Sequence, residues 1–288
     1  MRLLLFGGSG LLGRAVRRRL PGEWNAFCPS HSECDLCDAG AAEQALSAYR
    51  PDAVLNCAAL TDVDRCEREP ERAFLVNCDA VSRLSFACAE AGIPLYHIGT
   101  DYVFDGLATS PIPEEAKANP INTYGKSKLA GEEAVLKSGG CVLRVQWLYG
   151  HGKSAFVDRV LHSPKNSCIK VVDDCFGIPT FADDVATMLF SLIGAGSRGL
   201  FHGACTGSAS WLDFAKEILA QTGVQRTLCP VPSESLGRPA IRPKYTVLGT
   251  KKLQTLCPLR PWQEALRDFL AQKTFPDSPG RAERVEGN

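Results

Sequence analysis

The stretch Arg2-Leu3-Leu4-Leu5-Phe6-Gly7-Gly8-Ser9-Gly10-Leu11-Leu12-Gly13 indicates the fold of this chain. Its apolar half is typical of a buried strand in the centre of a parallel sheet. The glycines permit a tight turn and a close approach of the backbone to a pyrophosphate. The next helix, expected from Arg14 to Leu20, offers unpaired N–H groups and a positive dipole end to the phosphates. We therefore predict dinucleotide binding at Gly7, Gly10, Leu11, Leu12 and Gly13.

Strands and helices are expected to alternate regularly as far as residue 150. Apolar runs predict further strands at residues 24–28, 51–57, 93–99 and 141–145. Helix formers predict helices at 41–49, 71–91 and 124–137. Such alternation is the signature of an α/β fold with a doubly wound parallel sheet, the Rossmann fold. Ligands bind at the carboxyl ends of the strands of this sheet, where Gly7, Ala58, Thr100 and Trp147 would meet.

Beyond residue 150 the alternation loosens. Short helices and strands are expected at 156–161, 169–172, 181–193, 199–203 and 211–222. We expect residues 151–272 to form a smaller C-terminal substrate-binding lobe, which closes over the crevice and can interleave with the Rossmann domain of residues 1–150. Residues 273–288, rich in Pro, Gly and charge, are expected to be a disordered tail.

The composition is that of an ordinary globular protein. Of 288 residues, 45% are hydrophobic and 22% charged, and the net charge is +0. This balance gives no electrostatic reason to expect nucleic acid or an anionic membrane as a partner. No stretch approaches the roughly 20 apolar residues of a membrane span, and the apolar start is too short for a signal peptide. We expect a cytoplasmic protein.

The 13 cysteines are spread over the whole chain, several of them inside expected core elements. Scattered thiols suit a reducing cytosol better than a disulfide framework. Cys28, His31, Cys34 and Cys37 follow one another at three-residue intervals, a spacing that suits zinc or an iron–sulfur cluster. The other interpretation is a cysteine-rich loop without a ligand. We favour the loop and predict no metal.

The end of the second expected strand bears on the choice of cofactor. NAD-selective folds carry an acidic residue here that binds the ribose 2′-hydroxyl, whereas this chain reads Cys28-Pro29-Ser30-His31. Without a carboxylate to repel a 2′-phosphate, and with Ser30, His31 and Arg14 to bind one, NADPH is favoured and NADH stays open. Asp35, a little further on, either hydrogen-bonds adenine or caps a loop.

Thr100-Asp101-Tyr102-Val103-Phe104-Asp105-Gly106 follows the fourth expected strand, and Tyr124 and Lys128 lie one turn apart on a helix. A nearby ammonium stabilises a phenolate, and a Thr hydroxyl from the strand end can bind the same reacting oxygen. The three groups would protonate a carbonyl that receives a hydride. A lysine at this spacing is otherwise a solvated helix face, so the chemistry depends on the cofactor site.

These residues resemble the extended short-chain dehydrogenase/reductases, and within them the dTDP-4-dehydrorhamnose reductase family. The resemblance reaches to about residue 270. Its most specific part is the Thr100–Gly106 stretch, because many related families share the glycine motif. The other matching stretches are Gly7-x-x-Gly10-x-x-Gly13, Asn56-Cys57-Ala58-Ala59-x-Thr61-x-Val63-Asp64, Tyr124-Gly125-Lys126-Ser127-Lys128-Leu129-Ala130-Gly131-Glu132, Gly177-x-Pro179-Thr180, Arg242-Pro243 and Trp262-Gln263-Glu264-Ala265-Leu266.

The resemblance implies NAD(P)H-dependent reduction of the 4-keto group of dTDP-6-deoxy-L-lyxo-4-hexulose to dTDP-L-rhamnose. Tyr124 would donate the proton, Lys128 would hold the nicotinamide ribose, and Thr100 would orient the oxygen. The resemblance also implies cofactor contacts from Asp35, Leu36, Ala58, Ala59 and Thr61, and a sugar pocket lined by Val63, Thr100, Asp101, Tyr102 and Trp147. Related 4,6-dehydratases carry Asp-Glu after the Thr; Asp101-Tyr102 here favours a simple reductase.

Two other functions stay open. The regulatory β subunit of methionine adenosyltransferase, an NADP-binding interaction protein, shares the Asp-Tyr-Val-Phe-Asp-Gly and Tyr-Gly-Lys-x-Lys stretches. A reductase or epimerase of another nucleotide sugar also fits. Three features favour the dehydrorhamnose reductase: the intact Thr100, the run Ala58-Ala59-x-Thr61-x-Val63-Asp64, and Trp147.

The chain departs from the family at two positions. Gly99 stands where members often have Ser, which would change the hydrogen bonding beneath the nicotinamide. Ala15 stands where magnesium-dependent dimers have Glu, so a homodimer would not be bridged by a metal.

Overall fold

The computed structural model describes residues 1–152 and 154–273. The expected disordered tail therefore lies, apart from Lys273, outside the described residues. Among the described residues, no helix has both the length and the apolar character to cross a membrane.

A six-stranded parallel sheet forms the centre of the molecule, in the order β10-β5-β4-β3-β1-β2. The strands between its two edges are buried because helices cover both faces. The expected doubly wound Rossmann sheet is thus confirmed. Its strands are β1 (Arg2–Phe6), β2 (Asn25–Phe27), β3 (Ala53–Asn56), β4 (Leu95–Thr100), β5 (Cys141–Val145) and β10 (Gly199–Gly203).

The helices lie between these strands and in the C-terminal half. They are α1 (Leu11–Arg19), α2 (Ala41–Tyr49), α3 (Val63–Arg68), α4 (Pro70–Phe74), α5 (Ala80–Glu90), α6 (Thr123–Lys137), α7 (Ala155–His162), α8 (Ala182–Gly194), α9 (Trp211–Thr222), α10 (Lys251–Gln254) and α11 (Trp262–Ala271). Short 3-10 turns follow β4, at Asp101–Val103, and β12, at Ser233–Leu236.

The single helix expected over residues 71–91 is interrupted by a π-helical turn at Leu75–Asp79. The turn contains Asn77, whose side chain is fully buried. Its amide accepts from the N–H of Leu60 at 2.9 Å and donates to the Leu60 carbonyl at 3.0 Å and to Ser127 Oγ at 3.1 Å. A buried amide must find such partners, and here it joins the loop after β3 to α6. A hydrophobic pattern does not record a tertiary contact of this kind.

The C-terminal half forms a second set of elements: β6 (Leu148–Tyr149), β7 (Cys168–Val172), β8 (Phe176–Gly177), β9 (Thr180–Phe181), β11 (Ala209–Ser210) and β12 (Thr227–Val231), with α7, α9 and α11. Phe214, Phe269 and Val160 are among the residues of its own apolar core. In contrast, α8 packs on α1, where Asp183 pairs with Arg18, and β10 joins the edge of the central sheet beside β5. The chain therefore returns to the central sheet within residues 151–272, and the predicted division into two domains stays a prediction.

Cys168 and Cys229 form a disulfide between the parallel strands β7 and β12. We expected scattered thiols, and the other described cysteines are free. The pairing depends on strand register between residues 61 positions apart, which no local pattern encodes.

Candidate active site

A cavity of about 440 Å³ opens at the carboxyl ends of the central strands. We call it the sheet cavity. It is lined by Gly10, Leu11, Leu12, Gly13, Cys57, Ala58, Ala59, Thr61, Val63, Ile98, Gly99, Thr100, Asp101, Tyr102, Tyr124, Lys128, Val145, Gln146, Trp147, Leu148 and Trp211. Most of the predicted site residues are among them; Gly7, Asp35 and Leu36 are not.

Gly7 shapes the cavity from beneath. Its φ of +75° favours glycine, and a Cβ there would lie 2.6 Å from the N–H nitrogen of Ala58. A Cβ on Gly13 would collide with the carbonyl oxygen of Gly7. The glycines thus allow β1, α1 and the end of β3 to meet closely.

The start of α1 suits a pyrophosphate. In the described structure no side chain caps the N-terminus at Gly10, and the first turn carries no acidic residue, so its N–H groups and dipole are available to an anion. Nearby, the amide nitrogen Nε2 of Gln146 is buried without a partner among the described residues. A buried donor of this kind suits a polar group of a bound ligand. The chain is thus compatible with a dinucleotide.

Asp35 and Leu36 lie beyond this cavity, in the turns after β2. Asp35 accepts from the N–H of Cys37 at 2.9 Å, and this hydrogen bond is the main cause of its lowered pKa. Its carboxylate also lies 3.5 Å from His31 Nε2. Leu36 packs against the core between the sheet and α2. Asp35 thus has a hydrogen-bond partner as a loop cap in this structure. Its predicted contact with adenine stays a prediction.

The turn after β2, where a 2′-phosphate is predicted to bind, is more acidic than its first residues indicate. Ser30, which we expected to bind a 2′-phosphate, directs its N–H and Oγ to Glu33 at 2.8 Å each. Arg14 donates to the Ser9 carbonyl at 2.5 Å. The side chain of Arg17, which the sequence argument left out, lies against Gly8 and Cys28 at the edge of the glycine turn.

Tyr124 stands at the start of α6, which Asn122 caps by accepting from the N–H of Gly125 at 2.8 Å. Burial raises the pKa of the Tyr124 phenol, and a hydrogen bond with Thr100 acts in the opposite direction. Thr100 ends β4, opposite Val145 on β5. The ring of Tyr102 packs edge-on against Tyr124, with ring centres 5.7 Å apart. The phenol and the hydroxyl therefore meet inside the sheet cavity.

Lys128 lines the same cavity and is buried. Its Nζ donates to the Ile98 carbonyl at 2.6 Å and lies 3.1 Å from Nε2 of His97. Burial lowers the pKa of Lys128 to about 8, against the opposing effects of Glu132 and Cys57. We had expected Lys128 to lower the pKa of the phenol directly. In this structure Thr100 has that effect, and the amine is held by β4.

Asp101 links the cavity to the C-terminal half. Its carboxyl accepts from Thr100 Oγ1 at 3.2 Å and from Thr246 Oγ1 at 2.6 Å. Burial raises the pKa of Asp101 to about 7, and the two threonine hydrogen bonds lower it in part. Thr246 was missed by sequence reasoning because nothing around it signals a partner so distant in the chain.

A second cavity of about 300 Å³ adjoins the first, sharing Tyr102, Trp147 and Trp211 with it. We call it the lobe cavity. It is lined by Tyr102, Trp147, Ala155, Phe156, Arg159, Val172, Cys175, Trp211, Ser233, Arg238, Arg242, Pro243 and Thr246. Arg242 pairs with Asp64 at 2.5 Å and holds the pKa of that carboxyl at about 2. The three arginines were not predicted as site residues, since isolated arginines carry no local signal.

Trp147 forms the boundary between the two cavities. Its backbone has a φ of 44°, uncommon for a residue with a side chain. Its indole stacks on Trp211, with ring centres 3.8 Å apart. A Cβ at Gly177 would lie 2.6 Å from the Trp147 ring. Backbone and packing thus fix the indole in place.

The two departures from the family have structural settings. A side chain on Gly99 would be directed at the buried pair of Arg144 and Glu132, with its Cβ 2.9 Å from Arg144 Cγ and 3.0 Å from Glu132 Oε2. Ala15 is buried in the core that includes α8. In the described part of the chain, no three His, Cys, Asp or Glu side chains are placed to hold a metal ion, so the side chains of the cysteine-rich loop do not converge.

Known proteins share both the sequence and the fold. A family model described as the RmlD substrate binding domain matches residues 1–275. The dTDP-4-keto-6-deoxy-D-glucose reductase of Streptomyces niveus is 36% identical over 273 residues, 92% of this chain and 95% of the relative. The dTDP-4-dehydrorhamnose reductase of Streptomyces griseus is 36% identical over 296 residues, 98% of this chain and 96% of the relative.

A solved structure supports the same assignment. The dTDP-4-dehydrorhamnose reductase of Bacillus anthracis in complex with NADP superimposes with a TM-score of 0.91 at 31% identity, over 94% of this chain and 99% of that one. Together with the geometry of the sheet cavity, these similarities show that the chain belongs to the dTDP-4-dehydrorhamnose reductase family of the extended short-chain dehydrogenase/reductases.

Proposed function

We propose that this protein reduces the 4-keto group of a dTDP-6-deoxy-4-hexulose with NADPH, and that its product is dTDP-L-rhamnose. One observation carries the proposal: Thr100, Tyr124 and Lys128 line a cavity at the strand ends that opens next to an arginine-lined cavity. The first cavity has the groups that a ketone reduction needs, and the second has the charges that a nucleotide sugar needs. The names of the relatives support the substrate class.

The chain's own groups account for the proton in this reaction. Bound NADPH supplies the hydride. Tyr124 donates its phenolic proton to the ketone oxygen, and Thr100, which hydrogen-bonds the phenol, orients that oxygen. Lys128 holds the nicotinamide ribose and exchanges a proton with the phenolate that Tyr124 becomes. General acid catalysis of this kind contributes about 10²- to 10⁴-fold to a rate.

The lobe cavity is suited to the nucleoside diphosphate. Arg159, Arg238 and Arg242 line it together with Trp211. Guanidinium groups bind phosphate oxygens in pairs of hydrogen bonds, and an indole offers a flat surface to a base. The sugar would then reach past Trp147 and Tyr102, which both cavities share.

The choice of NADPH has its own test. Arg17 lies at the edge of the glycine turn, where its guanidinium group would attract a 2′-phosphate. Arg17→Ala should lower the ratio of kcat/KM for NADPH to kcat/KM for NADH, by about tenfold for one lost charge-assisted contact. Arg19→Ala, on the same helix, is the matched control. An unchanged ratio would assign the preference to other groups.

We further propose that the protein works in the cytoplasm and that any homodimer forms without a metal bridge. Because Ala15 is buried in the core beneath α1, this position has neither the carboxylate nor the exposure that a bridging ligand requires. Size-exclusion chromatography with magnesium and with a chelator should give the same elution volume. A dimer that dissociates on chelation would contradict this proposal.

The central experiment compares turnover of two substrates by the wild-type protein and by Tyr124→Phe. NADPH oxidation is followed optically with dTDP-6-deoxy-L-lyxo-4-hexulose and with dTDP-4-keto-6-deoxy-D-glucose. We expect turnover of the first, with dTDP-L-rhamnose as the product by NMR. Tyr124→Phe should bind NADPH as well as the wild type and lose about 10²-fold or more in kcat.

Three outcomes would contradict the proposal. Equal kcat in Tyr124→Phe would remove the phenol from the mechanism. Turnover of the D-gluco ketone alone would keep the reductase but change its product. NADPH binding without turnover of either ketone would favour the regulatory-subunit alternative.

A further inference from the structure

Three buried side chains form a line behind the sheet cavity. Asn56 ends β3, His97 lies next to it on β4, and Lys128 reaches them from α6. The amide nitrogen Nδ2 of Asn56 lies 3.2 Å from His97 Nδ1, and His97 Nε2 lies 3.1 Å from Lys128 Nζ. All three are at most 2% exposed. At such depth each polar atom requires a compatible partner.

The backbone fixes the orientation of the first member. The Asn56 carbonyl oxygen Oδ1 accepts from the N–H of Ala58 at 2.9 Å. If the amide were rotated, its NH₂ group would face that backbone N–H, and two donors would meet. Because a backbone N–H cannot act as an acceptor, the amide nitrogen of Asn56 must face His97.

The fixed amide in turn determines where the imidazole carries its proton. His97 Nδ1 faces an N–H donor and must therefore accept. Burial holds the pKa of His97 well below its usual value, so the ring is neutral. A neutral imidazole has one N–H, and here it is on Nε2, directed at Lys128. An ammonium at Lys128 would oppose donor to donor, whereas a neutral amine can accept through its lone pair.

We propose that Asn56 and His97 are positioning residues that favour the neutral amine of Lys128 over its ammonium by fixing the imidazole proton on Nε2. The amine accepts from His97 and donates to the Ile98 carbonyl at 2.6 Å. This effect adds to that of burial, which alone disfavours the ammonium.

The charges around Lys128 do not reverse this effect. On its own helix, Glu132 favours the ammonium, but this carboxylate is held by Arg144 at 2.5 Å. Cys57, at the end of β3, would also favour it as a thiolate, but burial raises the pKa of Cys57 to about 12 and keeps the thiol neutral. Tyr124 lies one turn away, and burial raises its pKa. The imidazole N–H is the close contact that distinguishes amine from ammonium.

The consequence concerns the supply of the proton, and it rests on the role proposed above for Lys128. A lysine that titrates near neutral pH can take a proton from solvent and pass it to the phenolate. A lysine with an ordinary pKa is a weaker acid, so the transfer of its proton to the phenolate has a smaller driving force. The fixed imidazole thus adapts Lys128 to repeated proton delivery.

The tautomer can be measured without any variant or substrate. In the cofactor-free protein labelled with ¹⁵N-histidine, His97 should show a protonated Nε2 and an unprotonated Nδ1 from pH 6 to pH 9. His31, whose side chain is 75% exposed, gives a reference signal in the same spectrum. A proton on Nδ1 of His97 would overturn the proposal.

The effect on the lysine is measured by the ¹³Cε signal of Lys128 as a function of pH, assigned by its absence in Lys128→Met. In His97→Gln the side-chain amide is free to turn its oxygen toward the ammonium. The pKa of Lys128 should then rise by about one unit or more. Phe86→Leu, a change on the exposed side of α5, should leave it unchanged. The same value in His97→Gln as in wild type would overturn the proposal.

Turnover gives an independent readout. If Lys128 must deliver a proton, kcat falls as the pH rises through the pKa of that lysine. In His97→Gln this alkaline limb should move to higher pH by the shift seen in the ¹³C titration. If NMR shows a raised Lys128 pKa in His97→Gln but the alkaline limb of the kcat profile does not move, the hydrogen-bond proposal stands. The role of Lys128 in proton delivery would then be contradicted. A shift in neither would contradict the positioning role.

Discussion

The sheet cavity and the lobe cavity are built in different ways. Around the sheet cavity, the reactive side chains come from the end of β4 and the first turns of α6, and they bind one another or the adjacent backbone. Around the lobe cavity, the arginines come from α7 and from the segment after β12, and Arg242 is tied to Asp64 across the molecule. Residues close together in the sequence therefore supply the reactive groups of the sheet cavity. Residues from distant parts of the chain supply the arginines proposed to recognise the nucleotide sugar.

The two cavities also differ in their energetic cost. A buried carboxyl and a buried amine line the sheet cavity, and a buried imidazole lies behind it. Each of these groups has a pKa shifted by burial. Shifts of this kind lower stability and are typical of catalytic sites. The charged groups of the lobe cavity are partly exposed or paired. Substitutions should thus separate into those that change stability and kcat, and those that change KM.

The largest effect should come from Asp101→Asn, and it should be a gain in stability. The pKa of Asp101 is raised to about 7 in the folded protein. Because the folded state binds this proton more tightly than the unfolded state, the chain loses stability as the pH rises from about 4 to 7. Asn cannot ionise, so the variant should be more stable than wild type at pH 8 by about 2–4 kcal/mol, measured by urea unfolding.

The difference in stability between Asp101→Asn and the wild type should be smaller at pH 5, where the folded wild type also carries a neutral group at position 101. For the same reason kcat at pH 6 should be similar in the two proteins. Asp105→Asn, at an exposed carboxylate with a lowered pKa, is the control and should not gain stability at pH 8. A loss of stability in Asp101→Asn would show that the sheet cavity is not costly in the way described.

A smaller effect is expected for Arg242→Met, which removes a guanidinium from the lobe cavity and its pair with Asp64. Charge-assisted hydrogen bonds contribute about 1.5–3 kcal/mol, so kcat/KM for the nucleotide sugar should fall by about 100-fold. The loss should appear in KM, with the KM for NADPH unchanged. Arg65→Met, which breaks the exposed pair with Glu69, is the control and should change neither the KM for the nucleotide sugar nor the KM for NADPH. If the decrease in kcat/KM of Arg242→Met came from kcat alone, the lobe cavity would not differ from the sheet cavity in binding substrate rather than catalysing the reaction.

Trp211→Leu should have a more modest effect. The indole contributes one face of the stacked pair with Trp147, and such pairs add about 0.5–1.5 kcal/mol. We expect KM for the nucleotide sugar to rise by about tenfold at most. Trp24→Leu is the matched control, because its ring packs against Phe190 in the core of the first domain. Equal KM in the two variants would mean that Trp211 supports the fold and not the substrate.

The smallest effect should come from Cys168→Ser. The disulfide with Cys229 joins β7 and β12, and neither cysteine lines either cavity. The kcat and KM of the variant should stay within about twofold of those of the wild type with its disulfide intact. A larger change, measured in the same NADPH assay, would show that the geometry of the lobe cavity depends on this strand pair.

The sequence predicted the parts of the molecule that depend on local pattern. β5, β10, α2 and α9 begin and end where apolar runs and helix formers predict, and the glycine turn and the Thr100, Tyr124 and Lys128 group were found from spacing. Thr246, Trp211 and the arginines of the lobe cavity were not, because their neighbours come from distant parts of the chain. The π-helical turn at Asn77 and the disulfide were missed for the same reason: both depend on tertiary contacts.

The strand order has a consequence for biosynthesis. Because β10 completes the edge of the central sheet beside β5, the sheet is unfinished when the ribosome has made the first half of the protein. Until the later strand emerges, β5 presents an unpaired apolar edge, the kind of surface that aggregates. We expect nascent chains halted before residue 199 to depend on chaperones.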